Sequence, residues 1–573
     1  MLRTRTLSAD LAIGLLLAIA GTWLWIGHGR ARDLGRGSDV LGYDAAQYAV
    51  AARELANHGR LATPFALPIE LVRHARPPWP LSLVQPGLLA GEAALFRLSG
   101  TSSPARLAWL VLVIPFLGYL GAGIAVALGV STFLARFATH ATPRDRTLAA
   151  LVVGLALLLD PEAQHYATGG FTELPFTAGL AAAVAWLAAG APPPFAFGVL
   201  LGLSGTFRGN MLWLAPVLAA ALALTRPAGR GGAFVRAMLG YAVVLAPWWI
   251  YKTVAFGTPA WDLSALSVWD GVGGRTWFSL NHLPALPAVP QGGAAVHAIG
   301  AKLLRNLRPL LLQLATGPRT LWIAGLVLAL VPWGWVREAA TPADEDDAGA
   351  ERRARIVAGA LLAVLVITVI VTAITVPILR YLLPVRLIAE AAGLVGVWIY
   401  LWRMPEAWAP ARARRLLCVA IAVLALGWGV RQTARGMAEA ATVSADRGIP
   451  PAAVLQEIAR DLDRELPPSE PVMSNLGPSL AWYSRRPVIH LALTPSDVDA
   501  CRERLEVHHV VLAFRDASRA WPGWDEVVAR PADAPHHPEW NVLRVRRWTV
   551  TEGFSLVWLE LGPPRTPLAE RAQ

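Results

Sequence analysis

Long apolar runs separated by short polar turns fill the first three quarters of the chain. They lie near residues 11–27, 107–133, 147–160, 174–189, 194–207, 211–225, 237–254, 319–335, 356–377, 382–402 and 416–430. A helix needs ~20 apolar residues to cross a bilayer core, so these runs predict about eleven membrane spans. Beyond residue 446 the pattern changes to short runs. "PVMSN", "PVIHLAL", "HHVVLAF", "VLRVRRWTV" and "FSLVWLEL" predict strands, while "AAVLQEIARDLDREL" and "SDVDACRERL" predict helices, the second with Thr494 or Ser496 as its N-cap. The expected organisation is a membrane domain over 1–430, a linker over 431–446 and a small α/β domain over 447–573.

Three segments of the membrane domain are long or polar enough to matter outside the bilayer. The first, 28–106, predicts amphipathic helices on the membrane surface, clearest over Asp44–Asn57, with a Pro-Pro break in "HARPPWPLSL". The second is "LDPEAQHYATGGFTELP" (159–175). The third, the Pro/Gly-rich stretch 255–305, is expected to be a mobile outer loop.

Orientation follows from the arginines, because basic residues near span ends resist export. Arg3 and Arg5, Arg136, Arg144 and Arg146, Arg226, Arg230 and Arg236, Arg337 and Arg352–Arg355, and Arg403, Arg412, Arg414 and Arg415 fall on alternate turns. Those turns belong in the cytoplasm, as does the N-terminus, and the α/β domain is then extracytoplasmic. Segment 28–106 is exported in this scheme despite its seven arginines, since long loops translocate largely regardless of charge. Leu11–Ile26 is expected to be retained as the first span, because "GHGR" after it offers no small-x-small cleavage site. The bacterial inner membrane is the expected location.

Composition fits this picture: 55% of the 573 residues are hydrophobic and 16% charged, with a mean hydropathy of +0.45. Many of the 24 tryptophans stand near the ends of apolar runs, where their rings prefer the headgroup layer. The net charge of +11 comes mostly from the cytoplasmic turns. Without a compact basic domain or a nucleic-acid motif, anionic lipids are the expected partner and nucleic acid is not. Two cysteines, Cys418 and Cys501, lie in different domains, and no Cys/His metal cluster can be drawn.

Ionisable groups at membrane depth are costly, so those at span ends are candidates for function. On the outer side these are Asp39, Asp44, Arg76, Asp160, Glu162, Glu173, Arg208, Lys252 and Arg380. Asp44 and Tyr48 share a helix face, although Asp44 also suits an N-cap or first-turn position. Glu173 fits the start of a span electrostatically, and Asp160 before Pro161 fits a helix end. Arg208 interrupts "GVLLGLSGTFRGNMLWLAP", where it could bind an anion or snorkel to lipid phosphate. Lys252 ends "LAPWWIYK", Arg380 and Tyr381 open "RYLLP", and Arg76 stands directly before Pro77-Pro78. Four cations around two or three carboxylates suit a substrate with a phosphate leaving group and an acceptor that needs a base.

In order along nearly the whole chain, "YDAAQYAVAARELANHG", "RPPWPLSLVQPGLLAGEAALFRLSG", "TGGFTELPFTAGLAAA", "GVLLGLSGTFRGNMLWLAP", "LAPWWIYKTVAFGTP", "ILRYLLPV" and "PVMSNLGPSLAWYSRRPVIHLAL" resemble polyprenyl-phosphate-sugar-dependent glycosyltransferases of the GT-C fold. The closest likeness is to the branch of protein O-mannosyltransferases and the lipid A aminoarabinose transferase. The resemblance implies a polytopic helical fold and transfer of a hexosyl or pentosyl group from a polyprenyl-phosphate donor to a glycan, lipid or protein hydroxyl, with inversion. It implies Asp44 as general base and Arg76 and Arg208 on the lipid phosphate, with Arg380 assisting and Lys252 at the seventh-span motif. The chain departs from the pattern at Ala45, where the family often has Glu, and at Lys252-Thr253, where it often has Arg-Asn. Glu173 is the best replacement for the second carboxylate, with Asp160 and Glu162 behind it. Some enzymes of this fold use a divalent metal, but no cofactor is expected from the residues here. A transporter or flippase, a ligase of lipid-linked saccharides, and a catalytically silent relative are the alternatives.

Overall fold

The structure, a computed structural model, describes all residues except 1, 33, 35–40, 138–140, 191, 227, 316–344, 405–408, 444–449, 516–519, 522, 538–539, 552 and 564–573. The apolar run 319–335, Arg337 and Asp39 therefore lie outside the described residues. The other ten runs all fall on helices. These are α1 (Leu2–Ala31), α4 (Pro104–Val111) continuing into α5 (Val113–Phe137), α6 (Pro143–Leu158), α8 (Glu173–Ala189), α9 (Pro194–Gly205), α10 (Met211–Leu224), α11 (Arg230–Phe256), α14 (Glu345–Ile374), α15 (Leu383–Arg403) and α16 (Ala411–Val443). Between the first two of these lie α2 (Tyr43–His58) and α3 (Pro86–Ser99), and α7 (Pro161–Ala167) follows α6 after a 64° bend.

Six of these stretches are long and apolar enough to cross a membrane, or seven if α6 and α7 form one bent span. The protein is an integral membrane protein. The runs at 194–207 and 211–225, expected as full spans, are a helix of 12 residues and one of 14. Each is short of the ~20 residues a crossing needs; the turn that carries Arg208 separates them. Helices pack where small residues let backbones approach. A Cβ at Gly198 of α9 would collide with Ala237 O of α11, and one at Gly240 of α11 with Phe195 O of α9.

The stretch 255–305, expected as a mobile outer loop, contains α12 (Trp277–Asn281) and the first half of the long α13 (Gly292–Ala315). Its Leu310 and Leu314 enter the core of the membrane domain, while Lys302 Nζ donates to the carbonyls of Ser267 (2.8 Å) and Val268 (3.2 Å). Amphipathic spacing was concealed there by the flanking prolines and glycines. The expected linker at 431–446 is likewise helix as far as Val443, because α16 continues four turns beyond its apolar part.

The C-terminal region holds α17 (Ala452–Glu465), α18 (Gly477–Ser484), α19 (Asp497–Arg502) and α20 (Trp524–Ala529) around a six-stranded sheet. Its strands are β4 (Val472–Ser474), β5 (Val488–His490), β6 (His509–Phe514), β7 (Val542–Thr551) and β8 (Phe554–Leu561), all at the predicted runs, plus one from elsewhere. That strand is β2 (Phe65–Ala66) from the first outer segment, whose neighbours β1 (Ala62–Thr63) and β3 (Trp79–Pro80) pair with each other. The order is β2-β5-β4-β6-β8-β7, with β2, β5, β4 and β6 parallel and β8 antiparallel to both β6 and β7.

Parallel strands buried on both faces read as continuous apolar runs, and β6 alternates between two cores. Val511 and Ala513 face a cluster with Val50, Phe96, Val454 and Trp482, while Val510, Leu512 and Phe514 face Met473, Ile489 and Trp524. The first of these cores fuses segment 41–111 to the C-terminal region, so the domain expected at 447–573 includes chain from the N-terminal side.

Candidate active site

Helix α2 begins after Gly42, whose extended backbone (φ −73°, ψ 174°) makes it the N-cap. Asp44 is therefore not the cap; its carboxylate is free for a distant partner. Arg380, on a 3₁₀ turn over Leu379–Leu382 at the head of α15, donates from Nη1 to Asp44 Oδ2 (2.6 Å) and from Nε to Glu173 Oε1. Glu173 opens α8 and has no exposed side-chain surface; its Oε1 also lies 2.7 Å from Arg208 Nη1, while Oε2 has no hydrogen-bond partner among the described residues. Four residues from four parts of the chain thus form one chain of charge: Asp44, Arg380, Glu173 and Arg208.

Aromatic faces surround the two guanidinium groups. Arg380 lies 4.4 Å from the ring centre of Phe171 and 5.5 Å from that of Tyr166, and Arg208 lies 5.2 Å from that of Tyr381. The half-buried Tyr48 feels the same charges: burial raises its phenol above the ordinary range, Glu173 and Asp44 add to this, and Arg208 and Arg380 oppose it. Tyr48 and Tyr381 therefore belong to this site.

The other predicted residues lie apart from that network. Asp160 caps α7, accepting from Ala163 N (2.9 Å), and its Oδ2 lies 2.9 Å from Arg386 Nη2. The same Nη2 is 3.2 Å from Glu162 Oε2, and Arg386 Nη1 is 3.7 Å from Glu390 Oε1. Lys252 is buried, with Nζ 3.1 Å from Asp262 Oδ2, to which Gln85 Nε2 also donates (3.3 Å). Arg76 is exposed and makes no ion pair among the described residues.

Sequence reasoning missed Arg386 and Asp262. A signal for the first existed: "PVRLIAEAAG" places an arginine and a glutamate four apart inside an apolar run. Asp262 in "TPAWDLSAL" carries no such signal. A guanidinium lies against each of Asp44, Glu173, Asp160 and Glu162, and no group of three His, Cys, Asp or Glu suited to a metal occurs among the described residues.

No sequence model of a known protein family matches the chain, and no curated protein sequence does. Solved structures do. The chain is similar to ArnT from Cupriavidus metallidurans bound to undecaprenyl phosphate, with 15% identity, coverage of 96% of this chain and 99% of that one, and a TM-score of 0.50. It is also similar to the Archaeoglobus fulgidus oligosaccharyltransferase tethered to an acceptor peptide, with 12% identity over 88% of this chain and 68% of that one, and a TM-score of 0.51. At such identities the likeness speaks to architecture, and the architecture is clear: this membrane protein has the GT-C fold.

Proposed function

We propose that the protein is an integral membrane glycosyltransferase that moves a sugar from a polyprenyl-phosphate donor to an acceptor hydroxyl on the extracytoplasmic side. The observation that carries this reading is the bridging of Asp44 and Glu173 by Arg380, with Arg208 on the far side of Glu173. It gives one partly exposed carboxylate beside two fixed cations at the outer end of the helices. The arginine-rich turns lie at the other end, which supports a cytoplasmic N-terminus and an exported C-terminal domain. The solved ArnT structure holds undecaprenyl phosphate, which supports a lipid-linked donor for a chain of the same fold.

Asp44 is 39% exposed, with Oδ2 on Arg380 and Oδ1 making no hydrogen bond among the described residues. Oδ1 takes the acceptor's hydroxyl proton, and the oxygen attacks the anomeric carbon from the face opposite the phosphate. The bond from that carbon to the phosphate oxygen breaks, and the configuration inverts. Arg208 and Arg380 stabilise the charge on the departing polyprenyl phosphate. Glu173, without exposed surface, holds the two guanidinium groups in place and does not exchange protons. Lys252 and Arg76 contribute longer-range attraction to the phosphate.

Reconstituted membranes supplied with radiolabelled polyprenyl-phosphate sugars test the reading. Label should leave the lipid ~100- to 10,000-fold faster with the wild type than with Asp44→Asn. Equal transfer by both removes Asp44 from the chemistry, and no transfer from any donor removes the reaction.

A further inference from the structure

We infer that the C-terminal domain is a positioning device for Asp44, and that Gly477 in that domain is the seat that sets the start of α2. The inference rests on the reading of Asp44 as the base, but its geometry stands independently.

Helix α2 is held at both ends by the C-terminal domain. At its far end Arg53 donates from Nη1 to Trp482 O (2.6 Å) and from Nη2 to Ala481 O (2.9 Å), with its guanidinium 4.7 Å from the Trp482 ring centre. These carbonyls belong to the last turn of α18, where the negative end of the helix dipole favours a cation; Ala481 O also accepts from Arg485 N (3.1 Å). At its near end Tyr43, adjacent in sequence to Asp44, packs its ring 6.1 Å from Phe65 of β2 and 5.4 Å from His490 of β5.

Gly477 opens α18 with φ +49° and faces all three rings at once. A Cβ there would lie 2.9 Å from His490 Cδ2, 3.0 Å from Tyr43 Cε2 and 3.2 Å from Phe65 Cε2. Phe65 and His490 are buried side chains on paired strands, and His490 Nδ1 is also 3.2 Å from His282 Nε2 in the segment after α12. Tyr43, only half-buried, is the ring with the most room to yield. A side chain at 477 therefore presses on the residue next to Asp44, at a position more than four hundred residues away in sequence. A misplacement of ~1 Å at a reacting group can cost ~100-fold in rate.

The test uses full-length protein in lipid vesicles and two readouts. Gly477→Ala and, as a second variant without the left-handed backbone problem, Arg53→Gln should each lower kcat ~10- to 100-fold with donor KM within about twofold. Neither should lower the residual activity of Asp44→Asn further, because the group they misplace is already gone. An equal fractional loss in that background would mean general damage and would overturn the inference.

The second readout does not use activity. With D44C, the rate of labelling by a membrane-impermeant maleimide should change several-fold when Gly477→Ala or Arg53→Gln is added. With T253C, on the exposed outer end of α11, it should not. An unchanged rate at position 44, or a parallel change at 253, overturns the positioning role. A silent Asp44→Asn combined with a changed rate at 44 alone rejects the base and leaves the positioning standing.

Discussion

Arg208 Nη1 and Glu173 Oε1 lie 2.7 Å apart, the carboxylate wholly buried and the guanidinium one-tenth exposed. Removing one member of such a pair leaves the other charge buried without compensation. Glu173→Gln should therefore cost about 3–5 kcal/mol of stability, read as a lowered thermal midpoint in detergent. Asp44→Asn, on the exposed side of the same network, should cost under about 1 kcal/mol while lowering transfer ~100- to 10,000-fold. Similar midpoints for the two variants would contradict this division between a structural and a reacting carboxylate.

Lys252 already has a partner in Asp262, so a donor phosphate must compete for it. Asp262→Asn should lower donor KM and Lys252→Met should raise it, each about two- to fourfold, the scale of one solvent-screened charge. Steady-state kinetics at fixed acceptor decide the matter. If neither substitution moves KM, Lys252 has no part in binding the donor.

Asp160 does two jobs, capping α7 and pairing with Arg386. Asparagine keeps the cap and alanine loses it, a difference of about 1 kcal/mol. Asp160→Asn should accordingly be the more stable of the two and retain substantial transfer activity. Loss of all transfer in Asp160→Asn would move the site toward Arg386.

The His282–His490 contact carries a pH signature. Burial lowers His282 to about 4, and burial together with His282 holds His490 well below its ordinary value. The unfolded chain, with imidazoles near 6.5, binds more protons than the folded one below that pH, so stability falls as pH drops from ~6.5 toward 4 and is fully present above 6.5. Thermal midpoints across pH 4–8 should fall more steeply for the wild type than for His490→Gln. Parallel curves would show that the pair does not titrate with unfolding.

Much of the fold was legible because burial leaves a period in the sequence. Ten of the apolar runs lie on described helices, and β6 reads as an unbroken apolar run because both of its faces are covered. The site was legible in part: Asp44, Glu173, Arg208 and Arg380 stood out as charges beside apolar runs, and they meet. Their pairing was not, since Arg380 lies 207 positions from Glu173 and no local pattern records so distant a contact. Segment 255–305 misled for the opposite reason, as its prolines and glycines border α13 without interrupting most of it. Strand β2, two residues long, carries too little pattern to be recognised from sequence.

That short strand imposes a timetable on biosynthesis. Phe65 and Ala66 leave the ribosome early, yet their hydrogen-bonding partner, Val488–Ile489, is made more than four hundred residues later. Until then segment 41–111 waits with an unsatisfied strand edge, and a chain truncated before β5 leaves it permanently exposed. Quality control that removes chains with open edges would clear such fragments, so that what accumulates in the membrane is protein whose last domain has arrived.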